Sequence, residues 1–310
     1  MNAVAAVVVP VFGTVALGFG MARAGIFTRE TGAGLTRFMF YLAIPAMLFR
    51  GLVSAELPER VPWAYLMAFY IPSFAVFWLA LRGSQSVLGW TRREAGMAGM
   101  SACYANIVLL GFPLLDTAFG ARGHLPLFIL MATQSTLLFP LATYALEIYG
   151  HERARQPLFY LRAAGRLALN PVIIALVLGF IVNHSALPVP AVASRMLELL
   201  GVAGPGCALV ALGISLAQYR LAGGWRDVLL LVVLKNLLCP LAVWGLGRAL
   251  GVEQLWLATA VLMAAMPAGI NVFIFANQYD VRQDTVAKTI VISTLSSSVV
   301  ATALLAWFMA

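Results

Sequence analysis

The sequence predicts an all-α membrane protein: ten transmembrane helices in a 5+5 inverted repeat, with helices 4 and 9 broken. Three observations lead there. The composition is strongly apolar, the chain divides into apolar runs of bilayer length, and similar features recur in the same order about 161 residues apart.

Hydrophobic residues make up 62% of the 310 residues and charged ones 10%, with a mean hydropathy of +0.92, which excludes a water-soluble domain. The apolar stretches are continuous runs of roughly 18 residues or more, not ten-residue alternating segments, so a strand barrel is excluded as well. Helices are then the way to satisfy the backbone in lipid. The net charge of +8 comes from residues scattered over short loops, without a basic tract interleaved with aromatics, and no nucleic-acid partner is expected. Cys103, Cys207 and Cys239 lie inside apolar runs without CxxC spacing and read as packed thiols.

In chain order the runs fall near 3–22, 33–53, 61–82, 95–117 and 124–149, then 165–183, 196–218, 228–247, 255–279 and 284–309. The first reads as a retained span, since no Lys or Arg precedes it and its apolar run is long for a signal peptide. Only His151 to Arg166 forms a sizeable connector, so the expected units are residues 1–150 and 151–310 with no soluble domain. Fourteen of the twenty Lys and Arg fall in loops of one side; Arg50, Arg60, Arg122, Arg195 and Arg248 fall on the other, and Lys235 lies within a span. The positive-inside rule then places both termini outside the cytoplasm, in a multi-pass protein of the cell inner membrane.

Pro10 to Phe19 matches Pro171 to Phe180 at five of ten positions, an offset of 161, while Pro45 and Pro205 are offset by 160 and Pro72 and Pro240 by 168. Five spans per half is an odd number, so a duplicated half enters the membrane from the opposite side.

Span 4 carries Asn106, Gly111 and Pro113 in mid-run, and span 9 carries Pro267, Gly269 and Asn271 at the corresponding place. A broken helix frees N–H and C=O groups that only protein, water or substrate can satisfy at that depth, which points to a transport site. Pro267 suits the first turn of a half-helix, whose N-terminal N–H groups favour an anionic carboxylate. The bland alternative is a Pro-kinked helix with a packed Asn.

Lys235 lies ~10 Å inside its span by helical rise and is a functional candidate, weighed against snorkelling or a bond to carbonyls exposed by Pro240. The Thr133-Gln134-Ser135-Thr136 cluster either lines a cavity or glues neighbouring helices. Asn170 reads as a helix cap. Every Asp and Glu lies in a loop or near a span end, with Asp116, Glu147, Glu198, Asp227 and Asp284 the nearest to the spans, so a carboxylate relay is hard to build and coupling to H+ or Na+ stays open. His124, His151 and His184 lie near interfaces and no HExxH occurs, which argues against an intramembrane enzyme.

The pattern Asn106-x4-Gly111-x-Pro113, the run Ala264-Ala-Met-Pro267-x-Gly-x-Asn271-x-Phe-x-x-Ala276-x-x-Tyr279, Asn170-Pro171 and Ala211-Leu-Gly-Ile-Ser-Leu-Ala217 together resemble the auxin efflux carrier family over essentially the whole chain. The resemblance implies a fold similar to the bile acid:sodium symporters, with spans 4 and 9 crossing at their breaks, a scaffold beside a crossing-helix domain, and elevator-like movement. It also implies that Asn106, Pro113, Pro267 and Asn271 line an organic-anion site. Span 9 lacks the acidic sodium ligand of the symporters, and the loop between spans 5 and 6 is too short for the larger plant carriers, which makes a bacterial permease the nearer likeness.

The expectation is therefore a secondary transporter of small organic anions such as malonate, malate or auxin-like weak acids, without cofactor or metal. Its site would comprise Asn106, Gly111, Pro113, Pro267, Gly269, Asn271, Gln134 and, as countercharge, Lys235. A channel or passive receptor of the same architecture is the alternative. The lipid bilayer is its surrounding; a homodimer is one assembly the residues leave open.

Overall fold

The computed structural model describes residues 2–55, 62–148, 171–185, 187–219 and 224–309. The connector His151 to Arg166, Asn170 and the start of the sixth run lie outside the described residues. Among the described residues the chain is helical, and the single extended pairing is an isolated antiparallel bridge between Ala105 and Ala268.

The helices are α1 (Asn2–Arg23), α2 (Arg29–Val53), α3 (Trp63–Leu88), α4 (Arg92–Cys103), α5 (Phe112–Phe119), α6 (His124–Ile148), α7 (Pro171–His184), α8 (Ala191–Gln218), α9 (Trp225–Ala249), α10 (Gln254–Ala265), α11 (Ile270–Tyr279) and α12 (Gln283–Phe308). Among the described residues seven helical stretches are long and apolar enough to cross a membrane. The expected fourth and ninth spans do not count among them as single helices, because each is divided: α4 ends at Cys103 and α10 at Ala265.

Local chemistry sets the ends. Thr28 caps α2 by accepting from Thr31 N at 3.3 Å, and Thr91 and Glu94 form a reciprocal capping box on α4. The third run continues six residues beyond its expected end: Arg82 does not stop a helix, whereas Gly89 at φ +68 does, with Trp90 N bonding Ser84 O.

Proline leaves a second signature. Met39–Ala43, Ile107–Gly111 and Leu234–Leu238 are π-turns, and each stands one residue before an X-Pro step, at Pro45, Pro113 and Pro240. The proline ring clashes with the carbonyl four residues back and supplies no N–H, so the turn widens and the preceding residue bonds five residues back instead. Pro10, Pro72, Pro140 and Pro205 sit inside helices without this widening, so tertiary packing selects where it occurs.

The helices pack in two sets. Helices α1, α2, α7 and α8 pack on one another; α3, α4, α6, α9, α10, α11 and α12 pack on one another. The seam runs where α1 meets α5 and α12, where α8 meets α5 and the π-turn before it, and where α6 meets α2 and α7. Within the first set α1 and α8 approach until backbone touches backbone. A Cβ on Gly213 would stand 2.1 Å from Val15 O, and one on Gly18 would stand 2.5 Å from Val210 O. Such glycine contacts are how helices associate where lipid removes the hydrophobic drive.

Gly213→Ala should therefore force α1 and α8 apart, at about 1–3 kcal/mol. Gly20→Ala, with nothing within 4 Å of the new methyl, should be neutral. Thermal unfolding of the two purified variants in detergent checks this; equal midpoints would refute the close packing.

Candidate functional site

The site is built on the two extended segments that separate α4 from α5 and α10 from α11. Tyr104, Ala105 and Asn106 run antiparallel to Pro267, Ala268 and Gly269, with Asn106 N donating to Pro267 O at 2.8 Å and Gly269 N to Tyr104 O at 3.0 Å. These segments are buried, so every remaining polar group needs a partner. Gln134 of α6 supplies both for Ala105: its Nε2 donates to Ala105 O at 2.9 Å, and its Oε1 accepts from Ala105 N at 3.3 Å. A side-chain amide thus takes the place of a third strand. On the other segment Ala268 N donates to Ser293 Oγ of α12 at 3.1 Å.

The two glycines act as spacers. A Cβ on Gly269 would meet the Tyr104 ring at 2.8 Å, and one on Gly111 would meet Met263 Sδ at 2.7 Å. Pro113 occupies the first turn of α5, as a missing N–H allows. Pro267 does not start a half-helix. Gly269 is the N-cap of α11 and Pro267 lies in the extended segment, where its carbonyl serves Asn106. Its missing N–H is harmless there, because the antiparallel pairing calls only on its carbonyl.

Asn106 sits at the start of the π-turn. Its Oδ1 accepts from Leu109 N at 3.3 Å, which fixes the amide orientation, and its Nδ2 is a buried donor without a hydrogen-bond partner. Asn271, half-buried in the first turn of α11, donates from Nδ2 to Tyr104 Oη at 2.9 Å; that hydroxyl shares a further bond with Ser135 Oγ at 2.8 Å. The Tyr104 ring stacks on Phe139 at 5.1 Å, followed by Phe275 at 5.0 Å.

Six expected residues and Gln134 therefore gather at one place. Lys235 stands behind it: fully buried, its Nζ donates to Ala264 O in the last turn of α10, while Asn236 Nδ2 donates to Ala265 O at 2.9 Å. The carbonyl it serves belongs to α10, not to the turn opened by Pro240. The neighbours of Gln134 divide: Thr136 bonds a carbonyl of its own helix, Thr133 does so and also shares a bond with Tyr70 Oη of α3 at 2.6 Å, and Ser135 reaches Tyr104. Tyr104, Asn236 and Ser293 were missed. Tyr104 stands two residues before Asn106 and Asn236 directly after Lys235, but a tyrosine or serine in an apolar run carries no signal until its neighbour across the fold is known.

Electrostatically the site is divided. The C-termini of α4 and α10 end there and the turns leading into α5 and α11 begin there, so negative and positive helix ends face one another across the bridge. At the cytoplasm-expected ends of α4 and α11, Arg282 bonds Glu94 at 2.7 Å and lies 3.7 Å from Asp227, while Arg93 donates to Tyr279 O at 2.6 Å. Those contacts tie the two helices together below the site.

A family model described as Membrane transport protein matches residues 3–154 and 152–305. Among curated relatives, a putative malonate transporter of Rhizobium meliloti (strain 1021) is 28% identical, over 98% of this chain and 96% of its own length. Auxin efflux carrier component 8 of Arabidopsis thaliana is 22% identical, over 93% and 92%, and the uncharacterized transporter YfdV of Escherichia coli (strain K12) is 24% identical, over 94% and 93%. With nearly its whole length matched, the chain belongs to the membrane transport protein family, that of the auxin efflux carriers, and is a multi-pass membrane transporter.

Proposed function

We propose that the chain moves a small organic carboxylate by alternating access, bound at mid-membrane beside the paired segments 104–106 and 267–269. The observation that carries this is Asn106 Nδ2. A buried donor without a partner costs on the order of 1–3 kcal/mol, and this one stands at a helix start, where a carboxylate oxygen is the complementary group. Asn271, in the first turn of α11, offers the second contact by exchanging its bond to Tyr104. The malonate in one relative's name is in keeping with a dicarboxylate.

In this reading the ten spans form two inverted halves, 1–150 and 151–310. Spans 4 and 9 are the discontinuous pairs α4–α5 and α10–α11, crossing at Ala105 and Ala268. The two stretches matched by the family model meet at residues 152–154, in support of that division. The two packing sets support an elevator, in which α1, α2, α7 and α8 stay fixed and the set holding the crossing slides along them. Both termini face the outside of the inner membrane.

Asn106→Asp tests the site while keeping the fold, because a carboxylate oxygen still caps Leu109 N but the donor is replaced by a like charge. Malonate counterflow in proteoliposomes should lose at least tenfold in apparent affinity, about 1.4 kcal/mol, and Asn271→Ala should lose a comparable amount. Parental counterflow in both variants would remove the site assignment; a parent without saturable counterflow would remove the alternating-access reading in favour of a channel-like or receptor-like action.

The orientation has its own check. A cysteine appended after Ala310 should react with a membrane-impermeant maleimide in intact cells, beyond any labelling of the parent. Labelling only after the cells are broken would invert the topology.

A further inference from the structure

In the proposed carrier two helix ends of opposite sign meet, and the anion is assigned to the positive pair. The negative pair has its own occupant. α10 ends at Ala265, leaving last-turn carbonyls that its own backbone cannot satisfy. Lys235 donates to one of them, Ala264 O, and Asn236 to the next, Ala265 O. Both come from the π-turn Leu234–Leu238, which Pro240 holds open, so the widened turn delivers two consecutive side chains to one helix end.

Lys235 is fully buried, and among the described residues no carboxylate is paired with it; its ionisable neighbours are the thiols of Cys103, at the end of α4, and Cys239, one turn along its own helix. What faces this ammonium is thus two helix C-termini and a carbonyl oxygen. Asn236 adds a further acceptor, since its Oδ1 is buried and unpartnered. Carbonyls at the C-terminal ends of interrupted helices are the ligands that cation-coupled carriers present to their cation.

We infer that Lys235 is a covalently tethered cation, its ammonium holding the place at the end of α10 that a mobile monovalent cation would otherwise fill. The carrier then brings its own positive charge to the crossing and needs no sodium there. Removing the side chain exposes Ala264 O and Asn236 Oδ1 as a site for sodium or a small alkylammonium ion. The inference rests on the transport reading for its meaning but not for its test.

Thermal unfolding of the purified full chain in lipid nanodiscs is compared in sodium chloride, ethylammonium chloride and choline chloride at equal ionic strength. The parent should melt at the same temperature in all three. Lys235→Ala should gain roughly 2–4 °C in sodium or ethylammonium over choline, as a ligand confined to the folded state produces. A parent midpoint that rises with sodium, or a Lys235→Ala midpoint equal in all three salts, overturns the inference. Should Lys235→Ala not fold, Lys235→Ser, which likewise removes the ammonium and leaves Ala264 O exposed, takes the same measurement with the same criteria. Lys235→Met, which fills the space without charge, should lower sodium-free malonate counterflow at least tenfold, and parental counterflow in it overturns the inference too. Absence of malonate counterflow in the parent sinks the transport reading alone, since the melting comparison needs no substrate.

Discussion

The rest of the structure depends on one short backbone pairing, Asn106 N to Pro267 O and Gly269 N to Tyr104 O, made by residues that have left helical geometry deep inside an apolar chain. An unpaired peptide group at membrane depth costs several kcal/mol, so neither interruption is tolerable alone. Each supplies what the other lacks. That mutual satisfaction explains why Gly111 and Gly269 are small, why Gln134 turns its amide onto Ala105, and why Ser293 stands under Ala268. Four helix ends are then held together at one point, which no continuous helix could present.

Much of this was legible in the residues. Asn106, Gly111 and Pro113 on one side and Pro267, Gly269 and Asn271 on the other carry the torsional and hydrogen-bonding signals of a break, and they recur at matching places in the two halves. The interruptions announce themselves because Pro and Gly act on the backbone locally. The role of Pro267 did not. A proline before a helix reads as a first-turn residue, whereas here its carbonyl is what matters, and carbonyls look alike in every residue. The partners Tyr104, Asn236 and Ser293 were opaque for a related reason. Each is defined by a contact 25 or more residues away in sequence, and only the folded geometry brings the pairs together.

The π-turns show how a local signal gains a distant use. Pro240 widens the turn ahead of it, and widening rotates the residues within it relative to an α-helix. Lys235 and Asn236, which are successive and would lie about 100° apart on a regular helix, both reach the end of α10. The same device before Pro113 places Gly111 N on Asn106 O and lets α5 begin directly after the extended segment. Proline is thus less a breaker here than a means of aiming side chains and helix ends.

The two interruptions, similar in the residues that make them, differ in how each is satisfied. In the first, one glutamine takes both backbone groups of Ala105, and Asn106 keeps a donor in reserve. In the second, a serine takes Ala268 N and Asn271 is already engaged with Tyr104. In the proposed carrier an incoming carboxylate would meet one donor that is free to recruit and one that must exchange its bond. The free donor would favour initial capture, while exchange at Asn271 would loosen the tie between α11 and Tyr104 as that substrate settles. In the carrier proposed here, binding is for this reason coupled to the packing of α11 on α4, the contact that also bears the Arg282–Glu94 pair at the membrane edge.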